Sequence, residues 1–286
     1  MAVKPLSVAL AGSTRAGKTV YLAALMRAAF AGGGQRARLI KVRPGLGDDG
    51  ARQLSQAAVR MLCGEMPVGT SALQRHNLIV DLPGSRLGNI GRASVHLSVA
   101  DPPGGDCLVA PGCPPHPEVL GRAVAADGLM LMLSCDPADR HPDMEARLSS
   151  FIRCVGQSKK RGRDKCLFER IAVVLTKCEL LVLDQGEGAV QGLERMQARD
   201  VLQDLYGAAV VNLIGDAVPP GADWYSLVSV FGFDPVTGRS AVRRARQGWV
   251  YDGPVRDGVA EDWQPYRVYE PLEFLARGVC WQEALV

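Results

Sequence analysis

The stretch Leu6-Ser-Val-Ala-Leu-Ala-Gly12-Ser-Thr-Arg-Ala-Gly17-Lys18-Thr19-Val-Tyr-Leu-Ala-Ala-Leu25 decides how this chain is read. An apolar run of strand type enters a glycine-rich turn, and a longer apolar run of helical type leaves it. The turn satisfies G-x-x-x-x-G-K-[ST] at every position, in the strand-then-helix context that gives the pattern meaning. Glycines let the backbone wrap round a phosphate with its N–H groups pointing inward, and the helix N-terminus adds positive potential. Lys18 is placed to span the β- and γ-phosphates of a nucleotide, and the Thr19 hydroxyl to ligate Mg2+. Gly12, Ser13, Thr14, Arg15, Ala16, Gly17, Lys18 and Thr19 are therefore the expected phosphate-binding residues.

Working outward, apolar runs alternate with longer helix-like stretches, which predicts an α/β fold with a mainly parallel sheet. Strands are expected near residues 5–11, 38–43, 73–81, 127–135, 169–176 and 225–231. Helices are expected near 18–31, 50–64, 118–125, 143–157, 190–206 and 270–282. Together with the glycine-rich turn, this is the pattern of a P-loop NTPase: a three-layer sandwich around a mostly parallel, Ras-like sheet, with helical and loop insertions. Surplus length lies near 44–66, 101–117 and 234–268, and three stretches interrupt the alternation: a Pro/Gly-rich loop at 101–117, a basic connector at 158–165 and an irregular run at 234–268. None has the composition of an inter-domain linker. One elaborated domain over 1–286 is expected, with a core at 3–232 and an extension with a terminal helix at 233–286.

Three further elements follow in order. Leu78-Ile-Val-Asp81 runs into Asp81-Leu-Pro-Gly84, a D-x-x-G element whose Asp81 would hold the water shell of Mg2+ and whose Gly84 would offer an N–H to a γ-phosphate. Ile171-Ala-Val-Val-Leu-Thr176-Lys177-Cys178-Glu179 places a carboxylate just past a strand end, where it can accept both the N1–H and the N2–H2 of guanine. Thr176, Lys177 and Glu179, with Ser229 and Val230 of Leu227-Val-Ser229-Val-Phe-Gly232, are the expected base-binding residues. Thr70, in Pro67-Val-Gly-Thr-Ser71, is the candidate for a hydroxyl that caps Mg2+ from a mobile loop; a plain turn is the other reading. Mg2+ ligands are thus expected at Thr19, Asp81 and Thr70, and catalytic groups at Lys18, Arg15 and Thr70.

This order and spacing over residues 3–232 resemble the P-loop GTPases of the translation-factor-related class. More narrowly, the chain resembles the bacterial double-GTPase family of GTPase-associated conflict systems. That likeness is carried by Leu22-Ala-Ala-Leu, Asp81-Leu-Pro-Gly84, Ala126-Asp-Gly-Leu-Met-Leu-Met-Leu-Ser-Cys-Asp136-Pro and Tyr269-Glu-Pro-Leu-Glu-Phe-Leu275. The resemblance implies a switch that binds GTP or GDP with Mg2+, hydrolyses GTP slowly, and controls interactions with proteins, including a second GTPase or a second copy of itself. Two departures bear on this. Glu179 stands where the class carries Asp, which opens the choice between guanine and adenine, and Ser85 stands where many relatives carry a water-positioning Gln. A non-hydrolysing nucleotide-binding module and a P-loop ATPase are the alternatives. Arg15, at a motif position where the guanylate-binding-protein and atlastin group carries a built-in arginine finger, is either such a finger or a solvent-facing side chain. Arg86 is open to the same two readings.

Composition narrows the field further. The 286 residues carry a net charge of +3, too little for long-range attraction to nucleic acid or a membrane surface. Lys supplies only seven of the 33 basic residues, so the Arg excess follows genomic bias rather than phosphate recognition. Aromatics make up 6%, too few for a base-stacking platform, and no apolar run reaches membrane-spanning length. The N-terminal apolar run is too short for a secretion signal, and the eight Cys show no framework spacing; both point to a cytoplasmic protein with reduced thiols. Three groups carry weaker signals: Cys107, Cys113 and His116 read as ordinary loop residues rather than zinc ligands, Lys159 to Lys165 as a solvated basic connector rather than a contact for RNA or acidic lipid, and Arg243, Arg244 and Arg246 are open between surface charge and a partner or ribosomal-RNA contact. Cys135 and Cys178 fall at strand ends beside the expected nucleotide, with redox sensing as a minor reading.

Overall fold

Strand β5 (Gly128–Ser134) is buried at every position, because its sequence GLMLMLS offers apolar side chains to both faces of a sheet. It lies beside the central strand β1 (Leu6–Gly12) of a seven-stranded sheet whose order, with strands numbered along the chain, is β2-β3-β4-β1-β5-β6-β7 in this computed structural model. The structure describes residues 5–30, 40–45, 50–62, 65, 73–84, 91–102, 107–159, 166–234, 236–245, 248–252 and 265–278. Around β5 lie β1 (Leu6–Gly12), β4 (Ala93–Asp101), β6 (Arg170–Thr176) and β7 (Asp223–Val228), all parallel to it or to one another. At one edge, β3 (Gln74–Leu82) runs antiparallel to β4, and β2 (Lys41–Pro44) runs antiparallel to β3. Within this sheet β3 alone points backwards, and that reversal decides which residues reach the site.

Helices cover both faces. On one face, α1 (Lys18–Phe30), α2 (Ala51–Leu62) and the terminal α8 (Glu270–Arg277) pack Leu22, Leu25, Leu54, Met61, Leu272 and Leu275 against Val8, Leu10, Met130, Met132 and Val174. The other face takes α3 (Pro117–Ala125), α4 (Met144–Lys159), α5 (Ala189–Glu194), α6 (Ala198–Tyr206) and α7 (Ala208–Asp216). There Val119, Leu148, Phe151, Leu193, Leu202 and Ile214 meet Ala9, Leu131, Val173 and Leu175. Odd and even residues of each strand thus serve opposite helical layers, as the period of two requires. The result is a three-layer α/β/α sandwich of the P-loop NTPase type. A small hairpin, β8 (Val242–Ala245) with β9 (Gly248–Tyr251), lies between β7 and α8 in the chain.

The differences from the sequence reading have local causes. The expected strands are present to within a few residues, but β4 and the β8–β9 hairpin lie outside every expected strand. The single helix expected over 190–206 is two, α5 and α6, and α7 follows after Gly207, whose φ of 91° suits glycine. The terminal helix packs onto the sheet beside α1: the Tyr21 hydroxyl donates to the Val268 carbonyl at 2.7 Å, and Trp224 of β7 stacks on Phe274 of α8 at 5.7 Å.

Gly12 closes β1 against the middle of the sheet. A Cβ there would stand 2.4 Å from the Met132 carbonyl oxygen, a backbone atom that cannot move aside. Gly17 differs: its φ of 75° is left-handed, but a Cβ would meet nothing within 4 Å. Gly12→Ala should therefore cost more stability than Gly17→Ala. We expect more than about 3 kcal/mol for the first, beyond ordinary overpacking, and about 1–2 kcal/mol of left-handed strain for the second. Parallel denaturant melts of the two variants check the order.

Candidate functional site

Residues 13–17 join β1 to α1 in a tight loop. Arg15 and Gly17 both have left-handed φ values, 61° and 75°, and alternating backbone handedness of this kind turns successive N–H groups toward one concavity. The Ala16 N–H donates to the Ser13 carbonyl at 3.2 Å, and Tyr21 N–H to Gly17 at 2.8 Å, so the loop feeds straight into the helix. Lys18 is 4% exposed and arches back over the loop, its Nζ donating to the carbonyls of Ser13 at 3.0 Å and Gly12 at 3.3 Å. Arg15 lies exposed at the apex.

The Thr19 hydroxyl donates to Asp101 Oδ2 at 2.5 Å. Asp101 ends β4, the strand beside β1, and is 1% exposed. Beyond it the chain returns to the loop, with Cys107 N–H donating to the Gly12 carbonyl at 3.2 Å. An alcohol and a carboxylate meeting at the mouth of an anion-binding loop are hard oxygen donors of the kind Mg2+ takes.

Asp81 is not at this site. It pairs with Ser94, whose hydroxyl donates to Asp81 Oδ1 at 2.5 Å, seven residues back along β4 from Asp101 and about 23 Å away at strand rise. Because β3 is reversed, its C-terminal end lies at the opposite end of the sheet from the phosphate loop. There Arg43 also pairs with Asp81 at 3.3 Å, and these bonds hold its carboxyl below the usual carboxylate range despite partial burial. Gly84 follows at the same far end, next to Pro83, whose carbonyl accepts from Arg277 of α8 at 2.5 Å. The expectation that Asp81 and Gly84 face the phosphates is thus corrected by strand direction. Asp101 was overlooked, although Ala93-Ser-Val-His-Leu-Ser-Val-Ala-Asp101 alternates cleanly and runs into Asp101-Pro-Pro-Gly104, a second D-x-x-G element. Thr70, Ser85 and Arg86 lie outside the described residues.

The end of β6 is tied to the phosphate loop. The Thr176 hydroxyl is 2.9 Å from the Ala16 carbonyl and 3.2 Å from that of Leu133, so one side chain stitches β6, β5 and the loop together. Lys177 takes a left-handed φ of 59°, which a non-glycine residue adopts at a cost of order 1–3 kcal/mol. Its Nζ forms an ion pair with the buried Asp139. Glu179 is 3% exposed, and its Oε2 meets no hydrogen-bond donor among the described residues. Burial pushes its carboxyl up to about 7, opposed by a hydrogen bond from Ser229. Ser229 and Val230 are buried beside it, and Gly232 N–H donates to Ser229 Oγ at 2.8 Å, closing the loop after β7. The structure therefore brings Gly12 to Thr19, Thr176, Lys177, Glu179, Ser229 and Val230 to the C-terminal ends of β1, β6 and β7.

Of the weaker candidates, residues 160–165 and Arg246 lie outside the described residues, and those that are described have structural partners. Lys159 donates to the carbonyls of Ala126 and Leu167 at 2.8 and 2.7 Å and lies over the Phe168 ring. His116 caps α3, and among the described residues no group of three or more His, Cys, Asp or Glu is arranged for a metal. Arg243 pairs with Asp252 across the small hairpin at 2.9 Å. Burial pushes the Cys135 and Cys178 thiols up, away from the thiolate that redox sensing requires.

No protein-family model and no curated protein matches this chain. Among solved structures, it is similar to the bacterial selenocysteine-specific elongation factor EF-Sec at 16% identity and a TM-score of 0.34, over 83% of this chain and 27% of that one. It is also similar to the Saccharomyces cerevisiae Ski7 GTPase-like domain. The GTP-bound form aligns at 11% identity and a TM-score of 0.38, over 80% of this chain and 43% of that one. The form holding GDP and inorganic phosphate aligns at 11% and 0.37, over 89% and 48%. This chain spans less than half the length of each. No helix among the described residues is long and apolar enough to cross a membrane.

A raised carboxyl makes folding bind a proton that the unfolded chain lacks. Without nucleotide, stability should fall as pH rises from about 4.5 to about 7, by on the order of 3 kcal/mol in total. Glu179→Gln should flatten that slope, as read from denaturant melts across pH.

Proposed function

We propose that this chain is a guanine-nucleotide-binding switch that hydrolyses GTP to GDP and phosphate with Mg2+. The observation that carries the reading is Glu179: a buried carboxylate oxygen without a donor, on a strand end bonded through Thr176 to the phosphate loop. A carboxylate only accepts. Guanine presents two adjacent donors, N1–H and N2–H2, whereas adenine presents an acceptor at N1, so such an oxygen favours guanine. Glu179, one methylene longer than Asp, sits in the Cys178–Leu181 turn just past β6.

In this reading the N–H groups of residues 13–19 bind the phosphates, Lys18 neutralises the β- and γ-oxygens, and Thr19 and Asp101 hold Mg2+. Bound there, Mg2+ would offset the charge that develops on the phosphates. Asp101 takes the metal role expected of Asp81, and Gly104 the γ-phosphate role expected of Gly84. The residue after Gly104 is Gly105, which has no side chain to orient a water. Intrinsic turnover is accordingly slow, with Arg15, exposed at the loop apex, or a partner supplying the missing charge; Thr70 keeps its proposed place as the Mg2+-capping hydroxyl. The resemblance to double-GTPases supports a protein partner, a second GTPase or a second copy, a cytoplasmic setting and a role in a bacterial conflict system.

Calorimetric titration with GDP and ADP in Mg2+ tests the base, and turnover measured across protein concentration tests hydrolysis. GDP should bind at least tenfold tighter than ADP, as expected when a buried acceptor is left unpaired by the wrong base. ADP binding as tight as GDP overturns the guanine reading, and turnover absent at every concentration overturns the enzyme reading. Asp101→Asn should abolish the slowing of GDP release by Mg2+, whereas Asp81→Asn should leave it intact. Since guanine needs the ionised acid, GDP affinity should rise with pH by up to about tenfold per unit below about 7 and level off above, in wild type but not in Glu179→Gln.

A further inference from the structure

The segment after β5, Ser134-Cys135-Asp136-Pro137-Ala138-Asp139, contributes none of the groups assigned above to phosphate, metal or base, yet it is carefully bonded. Asp136 Oδ1 accepts from Ala138 N–H at 3.0 Å and fixes the short helical turn Pro137–Asp139. Ser134 Oγ accepts from Asp136 N–H at 3.1 Å and donates to Asp139 Oδ2 at 3.0 Å. From α6, the Tyr206 hydroxyl donates to the Ser134 carbonyl at 2.7 Å. These bonds present the Asp139 carboxylate, its side chain 4% exposed, to the Nζ of Lys177.

Lys177 stands between two buried acids. Its charge acts on Glu179, two residues on, as well as on Asp139. A lysine ammonium rides on a flexible four-carbon stem and moves readily between partners. An ammonium resting on Glu179 would occupy the acceptor that a guanine needs. We propose that Asp139 is a positioning residue that holds the Lys177 ammonium away from Glu179, keeping Glu179 Oε2 open to the N–H donors of guanine. The left-handed backbone at Lys177 fits this role, because it turns the lysine out of the strand direction toward the β5 side of the site. The inference rests on the guanine reading of Glu179 given above.

The prediction is specific, because Asp139 should matter only through Lys177. In the full chain with Mg2+, Asp139→Asn should weaken GDP binding by on the order of tenfold, while ADP affinity changes little, so base selectivity shrinks. Lys177→Met keeps an unbranched apolar stem and removes the charge. In that background Asp139→Asn should have no further effect, and the double variant should bind GDP more tightly than Asp139→Asn alone. Titration calorimetry of wild type, the two single variants and the double variant reads all of this. Should Asp139→Asn fail to fold, Lys177→Met and the double variant still decide, since neither contains an unpaired lysine: equal GDP affinities support the proposal. A further loss of GDP affinity in the double variant overturns it, as does equal weakening of GDP and ADP in Asp139→Asn, the mark of a merely structural aspartate. A wild type that prefers ADP would instead defeat the guanine reading, which the same titrations reveal separately.

Discussion

The hydrogen bond from the Thr19 hydroxyl to Asp101 joins the first turn of α1 to the end of β4, and the site is organised round it. It forms because β1 and β4 are parallel neighbours, so that the strand carrying Asp101 ends level with the loop that carries Thr19. Two further constraints converge on the same loop. Gly12 allows β5 to approach until only a hydrogen fits, and Thr176 draws β6 onto the Ala16 carbonyl. The loop after β1, the Thr19–Asp101 pair and the turn after β6 are therefore brought together by one parallel arrangement, with every contributing strand pointing at the same edge.

Strain and burial are concentrated where that arrangement is used. Two of the three non-glycine residues with left-handed backbone among the described residues, Arg15 and Lys177, border the site. The third, Arg267, lies next to Tyr266, whose backbone exchanges two hydrogen bonds with Ser229, at 3.2 and 2.8 Å. The C-terminal extension thus reaches back to brace the loop after β7, whose Ser229 bonds Glu179, and α8 then packs beside α1. Glu179 itself is costly to bury as an anion, and the carboxyl answers by rising toward neutrality. A ligand that supplies N–H donors would remove that cost, so in the proposed reading the same carboxyl serves recognition and is a source of pH dependence.

Much of this was legible in residue order. The strand, turn and helix over Leu6–Leu25 stand as read, because the loop chemistry is local: glycine spacing, one lysine and one threonine suffice. The placing of Thr176, Lys177, Glu179, Ser229 and Val230 at or just past the ends of β6 and β7 was legible because each stands at or after an apolar run of strand length. Asp101 was equally visible as the end of an alternating strand, but Asp81 followed the unbroken apolar run Leu78-Ile-Val80 and carried the same D-x-x-G spacing.

What the sequence by itself determined is the fold class and the strand, turn and helix over Leu6–Leu25, since periodicity and turn chemistry act over a few residues. Only the tertiary structure decided which aspartate meets Thr19. Strand direction is set by pairing between segments far apart in the chain, and reversing β3 carries Asp81 to the far end of the sheet without altering a single local feature. The grip of Asp139 on Lys177 is of the same kind: 38 residues separate them, and parallel pairing of β5 with β6 brings the two strand ends side by side.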